Sequence, residues 1–417
     1  MFFRLIKTCF LLLFVFLSYE SLVKNTFEIS HKSELEKVKI INSRIIKEVI
    51  ETSNIKNDIK RVEGLSSKHS ESFFNYSLNS VLIKGVASTL AVDNKLQLVE
   101  LIEKFNKYML ILIFSLLLIW INFEFGFVSS FLSGLAILLS PVFAILSGLI
   151  SCSIFSLYLP SVGLSFLLLF ERLNNTYIQR QIKFFLFISI IFRLCISYRS
   201  IFFIMFSCLI IAMYHGIYYK WERNFAINRV FSFCKVMFFA LVCACVMQVG
   251  IDVLLNNVSA SIAFDNILNN FTFFLNLNES TASSMAGFIL NKVYIYPHIN
   301  CLCVFIFFIL VSVVSFLFYY RVMKIHQRQF YALFLMSLSS YIMVFVSSIF
   351  EISNPKYISV IWMYPATIFT FSMLGLLISS VHYFYYLKPS MPSDLSQNEA
   401  KEGVKEEARE EAKEARE

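Results

Sequence analysis

Long apolar runs separated by short polar stretches occupy most of this chain. They fall at Thr8–Ser18 and at 107–123, 127–150, 152–170, 183–197, 200–219, 230–254, 301–320, 330–350 and 358–386. A run of about 18 apolar residues is long enough to cross a bilayer as a helix, and helices satisfy their own backbone groups in hydrocarbon. The pattern therefore predicts an all-α protein, a polytopic transmembrane helical bundle of about ten spans. Two long polar stretches interrupt it, at about 24–106 and 255–299, and a charged tail follows at 391–417.

The polar connections then fix an orientation. The first run follows Arg4 and Lys7, and no small-residue cleavage site comes after it. It reads as a signal anchor within residues 1–23 rather than a cleaved leader. Threading the remaining runs alternately puts three short loops on the inner side. These are "ERLNNTYIQRQIK", "KWERNFAINR" and "RVMKIHQR", and all three are basic, as the positive-inside rule requires. The outer connections near Ser151, Tyr198 and Glu351–Lys356 carry few positive charges. Both termini fall on the inner, cytoplasmic side, and the polytopic membrane domain covers 107–390.

On this topology 24–106 is exported. Its apolar residues recur at helical spacing, so it is expected to form an amphipathic hairpin or short coiled coil that packs or oligomerises. The outer loop 255–299, rich in Asn and Ser, suits lying on the membrane or folding over a cleft. The tail pairs Glu with Lys and Arg four residues apart but has no apolar stripe, so it reads as a solvated, marginal helix.

Composition supports the membrane reading. The chain has 417 residues, is 58% hydrophobic and only 15% charged, too little charge for the surface of a soluble domain this size. The net charge of +8 is mostly the inner-face bias, which removes the reason to invoke nucleic acid. The 47 Phe read as lipid-facing filler. All nine cysteines lie in apolar segments, and the two C-x-C pairs lack the usual ligand spacing, so neither a disulfide framework nor a metal site is expected.

The candidate chemistry lies at the outer mouth. Arg193 and Arg199 stand in "IIFRLCISYRSIFF", where a charge in hydrocarbon is costly unless answered. The run 183–197 spans only about 22 Å at 1.5 Å per residue, which puts Arg199 at the outer boundary and Arg193 about a turn below it. Headgroup snorkelling is one account of Arg199, while Arg193, being deeper, is expected to point inward to a partner. Two planar guanidiniums also suit a diphosphate. His298, in "YIYPHINCL", re-enters the membrane on the same side and is the natural general base there. Lys292 is the only cation of the loop ahead of it.

The run "SYRSIFFIMFSCLIIAMYHGIYYKWER" resembles the S-x-R-entered helix and following basic loop of the O-antigen polymerase and ligase superfamily. As in that family, one further span, a large outer loop and a His near an Asn come next, here His298 and Asn300. The resemblance covers about residues 183–390. It implies a glycosyltransferase of the bacterial inner membrane that moves glycans from an undecaprenyl-diphosphate carrier at the outer face, with no cofactor or metal. Membrane lipids and other polysaccharide-assembly proteins would be its partners, and nucleic acid would not. By position, Arg199 matches the family's helix-entry arginine and His298 its loop histidine; Arg193 has no counterpart. The implied roles are diphosphate binding by Arg193, Arg199 and Lys292, and catalysis by His298 with Arg199. The loop is short and poor in arginine, which favours a polymerase over a ligase.

Two other classes compete. A transporter or flippase needs an ionisable site within the bundle. Here Glu124 falls in a short inner loop, His215 and His382 lie toward the inner ends of their spans, and no acidic relay or inverted repeat is evident. A non-enzymatic secretion-system subunit would also account for an anchor, an exported helical segment and a polytopic core.

Overall fold

A computed structural model describes residues 2–19, 95–138, 154–173, 175–196, 201–256, 259–265, 267, 306, 309–317, 327–350 and 355–382. The described residues are helical, with no strand among them. The longer elements are α1 (Phe2–Ser18), α2 (Lys95–Phe125), α3 (Phe127–Leu138), α4 (Ile154–Arg172), α5 (Thr176–Ile196), α6 (Ile201–Tyr218), α7 (Arg223–Asn256), α8 (Gln327–Phe350) and α9 (Pro355–His382). Glu100–Phe125, Phe155–Arg172 and Arg223–Leu254 are long and apolar enough to cross a membrane. Residues 24–94, most of the loop 255–299 and the tail 391–417 lie outside the described residues, as do Arg199, Lys292 and His298.

Several helices outrun the apolar runs that predict them. Helix α5 begins at Thr176, not 183, because Asn175 caps it: the Asn175 Oδ1 accepts the Ile178 N–H at 3.1 Å. Its 21 residues give about 31 Å, so the expected short span is a full-length helix with a polar first two turns. Helix α2 starts at Lys95 and draws the end of the predicted exported segment into its first turns. Glu124, expected in a loop, belongs to the last turn of α2. The loop itself shrinks to Gly126, whose φ of 88° is open to glycine at little cost and strained for other residues.

Helices consecutive in the chain from α2 to α7 run in opposite directions, and their contacts bring several connections to one end. Arg172, at the end of α4, pairs with Glu124 of α2, and Glu171 pairs with Arg229 near the start of α7. The start of α8 reaches the same place, since Gln329 donates to the Glu124 carbonyl. The beginning of α3 lies against the later half of α9, where Ser129 Oγ donates to the Ser372 carbonyl at 2.8 Å.

The core forms around two clusters. The larger surrounds Trp120, Phe114, Leu118, Tyr214, Phe330 and Phe369; the smaller joins Leu186, Ile190 and Leu194 of α5 to Ile204 and Cys208 of α6 and Met237 and Ala240 of α7. Between α3 and α9 the contact is closer than side chains of ordinary size permit. Ser133 Oγ donates to the Ile368 carbonyl at 3.1 Å and shares a hydrogen bond with Ser372 Oγ at 2.9 Å. Small residues allow this approach, and in a bilayer such hydrogen bonds and packing hold helices together. The flank of α7 carrying Phe231, Phe238, Phe239, Val246 and Leu254 is exposed, as a lipid-facing surface would be.

Candidate functional site

Lys107, Glu124, Arg193 and Asp252 are the charged side chains buried among the described residues, and Arg193 and Glu124 stand near opposite ends of the bundle. The first is Arg193, in the last turn of α5 and only 6% exposed. Its Nη1 donates to Ser156 Oγ on α4 at 3.2 Å. A buried cation in an apolar helix has to be answered by polar groups, and Arg193 turns inward to them, as its depth in the run leads one to expect. Arg199, Lys292 and His298 lie outside the described residues, so Arg193 is the only candidate from the sequence that has described geometry.

The second group is an acidic–aromatic cluster that sequence reasoning passed over. The Glu124 side chain is 1% exposed and its Oε1 lies 3.3 Å from Arg172 Nη1; Arg172 itself is 40% exposed. Glu124 Oε2 accepts the Tyr219 hydroxyl at 3.0 Å and the Tyr214 hydroxyl at 3.3 Å. Arg172 also donates to the Tyr219 hydroxyl and lies over the Tyr219 ring, 5.4 Å from its centroid. Guanidinium, phenol and carboxylate thus form a chain of donors ending on Glu124. Burial, and then the Glu124 carboxylate beside it, push the Tyr219 phenol above its usual range, so it stays a donor.

Local sequence explains how α6 supplies this cluster. In "YHGIYY", Tyr214 and Tyr218 are four residues apart, as are His215 and Tyr219, and such pairs share a helix face. Their rings stack at 5.8 Å and 5.4 Å. The helix then stops at Lys220, whose φ of 50° is left-handed, while the Trp221 N–H reaches back to the Gly216 carbonyl at 2.9 Å. That is a Schellman-type ending with lysine where glycine is usual. It leaves Tyr219 at the turn, within reach of both Glu124 and Arg172.

His215, 2% exposed, packs among the aromatic rings that surround Glu124. It packs against Tyr214 at 5.2 Å and Trp120 at 6.3 Å, measured between ring centroids. Its Nε2, the Trp120 Nε1 and the Glu124 Oε1 are buried with no hydrogen-bond partner among the described residues. Beside this cluster, Glu171 grips Arg229 with both oxygens, at 3.0 and 2.7 Å, with Lys183 at 3.8 Å. No three His, Cys, Asp or Glu gather in a metal-binding group among the described residues.

One signal for this cluster was present in the sequence: Glu124 is the only acidic residue between Glu103 and Glu171. Its partners come from positions 172, 214 and 219, which no local spacing connects to it. Compared with protein-family models, curated proteins and solved structures, the chain matches none.

Proposed function

We propose that the chain is a multi-pass membrane glycosyltransferase that polymerises, or ligates, oligosaccharide units carried on undecaprenyl diphosphate at the outer face of the bacterial inner membrane. The observation that carries the reading is Arg193: a buried arginine held by Ser156 near the end of the bundle away from the basic connections, six residues before Arg199. A guanidinium held in a dry, polar-lined position is well suited to an anionic leaving group. In this reading Arg193 and Arg199 bind the diphosphate, with Lys292 contributing from the loop. His298 takes the proton of the acceptor hydroxyl as the sugar's anomeric carbon leaves the diphosphate oxygen for the acceptor oxygen. The ten-span topology, with both termini cytoplasmic, belongs to the same proposal.

The test is complementation of a strain lacking the gene, with variants shown to insert normally. Arg199→Ala and His298→Ala should each abolish the banding of surface polysaccharide on a gel. Arg199→Lys should be poor, because an ammonium does not present a planar fork. Unchanged banding in both alanine variants refutes the site. A second reading, a carrier or flippase, draws on a specific feature: Glu124 is a buried carboxylate paired with the more exposed Arg172, the kind of group that ion-coupled carriers use. A carrier would strand its substrate inside the cell when inactivated, which radiolabelled intermediates would reveal.

A further inference from the structure

We propose that Glu124 and His215 form a proton-binding site that opens toward water beside Arg172 and takes one proton on Glu124 when that end of the bundle is acidified. The proposal is independent of the glycan reading and uses none of its residues.

The argument begins with the two oxygens of Glu124. Oε2 accepts both tyrosine hydroxyls, at 3.0 and 3.3 Å, whereas Oε1 has an ionic neighbour in Arg172 but no hydrogen bond. A carboxylate serving only as a structural anchor would be expected to use both oxygens, and this protein shows such a case a short way off. Glu171 engages Arg229 through Oε1 at 3.0 Å and Oε2 at 2.7 Å. Glu124 keeps one oxygen in reserve.

The second observation is the pair of orphaned polar atoms behind it. His215 Nε2 and Trp120 Nε1 are buried and unpartnered, on residues 2% and 0% exposed. Their rings lie 6.3 Å apart, and His215 packs on both tyrosines that serve Glu124. Buried polar groups are nearly always hydrogen-bonded, so orphans in one cluster need an explanation. An indole N–H donor, an imidazole nitrogen and a carboxylate oxygen supply the few partners that a buried water or hydronium requires.

Other groups face Glu124 from each neighbouring element that contacts it. Arg172 comes from α4, Tyr214 and Tyr218 from α6, with His215 packed behind the Tyr214 and Tyr219 rings, Tyr219 from the turn after α6, and Gln329 from α8, bonded to the Glu124 carbonyl. Arg172 is the exposed member and marks the aqueous approach. The step balances simply. A hydronium at that approach gives its proton to Glu124 Oε1 and leaves as water. The carboxylate becomes neutral, Arg172 loses its counter-charge, and the tie between α2 and α4 is released.

The test is infrared difference spectroscopy of the full chain in lipid vesicles, between about pH 8 and about pH 5, the range in which histidine and perturbed carboxyls titrate. Acidification should produce a carboxylic-acid C=O band that exchanges slowly in D2O. That band should vanish in Glu124→Gln and shift in Trp120→Phe, which keeps a ring but loses the N–H donor. Absence of the band in the wild-type chain overturns the proposal, as does its survival in Glu124→Gln. Should Glu124→Gln fail to fold, Trp120→Phe decides alone, and a band it leaves unmoved also overturns the site.

Discussion

Gly375 tests how closely α3 and α9 pack. A Cβ added there would lie 2.3 Å from Ser129 Cα, 2.5 Å from Ser129 N and 2.9 Å from Ser129 Oγ. The first two are backbone atoms of a helix and have no rotamer by which to escape. Restoring an ordinary carbon contact of about 3.5 Å requires the helices to part by about 1.2 Å. That separation takes the bonds from Ser129 to Ser372, Ser133 to Ile368 and Ser133 to Ser372, now 2.8, 3.1 and 2.9 Å, past hydrogen-bonding distance. At about 0.6 kcal/mol for each interhelical bond in a membrane protein, their loss is about 2 kcal/mol. Overpacking adds about 1–3 kcal/mol, and the better helix propensity of alanine returns about 1 kcal/mol. Gly375→Ala should therefore destabilise by about 2–4 kcal/mol. The assay is reversible unfolding of the purified chain in mixed micelles. Gly250→Ala on α7 is the matched control, because a Cβ there meets nothing within 4 Å and only the propensity gain remains. Ser133→Ala should cost little once Gly375→Ala is present, because its bonds are already broken. A Gly375→Ala protein as stable as the Gly250→Ala control would refute the reasoning.

Two further substitutions address local geometry. Lys220→Gly removes a left-handed lysine at the end of α6 and should stabilise the chain by about 0.5–1 kcal/mol, read as a raised unfolding midpoint; a lowered one would mean that the lysine side chain is needed there. Asn175→Ala removes the cap of α5 and should cost about 0.5–2 kcal/mol, whereas Asn175→Asp should retain stability; equal losses in both would show that the cap is not what holds the helix start.

Helix existence was legible because an apolar run reports burial in hydrocarbon or core. Helix ends were not, because they are set by other physics. Helix α5 begins seven residues before its apolar run, where Asn175 can accept a backbone N–H. Helix α2 keeps polar turns at its start, including the Glu100–Lys104 pair at 2.7 Å, which lie ahead of the apolar run that begins at 107. The alternation of basic loops was legible as a pattern of charge. The described contacts bring Arg172, Tyr219 and Gln329 together around Glu124 at one end of the bundle.

The site was hidden for a different reason. A lone acid in an apolar run signals that something must answer it, but the answer is assembled from three separate helices and a turn. The sequence offered Arg193 as a charge in the wrong solvent and Glu124 as a loop residue, and the structure buries both. Arg193 is bonded to Ser156 and Glu124 is paired with Arg172, and these two partners stand on the same helix, α4. Sixteen residues divide them, about 24 Å along the axis, and a hydrophobic core fills the space between. Charges so far apart in a packed bundle share no ligand. The arginine end and the acidic end therefore carry separate chemistry, whichever substrate the protein handles. An anion-binding role for Arg193 and a proton-binding role for Glu124 are then compatible in one molecule, joined only by whatever movement of α4 both can bias.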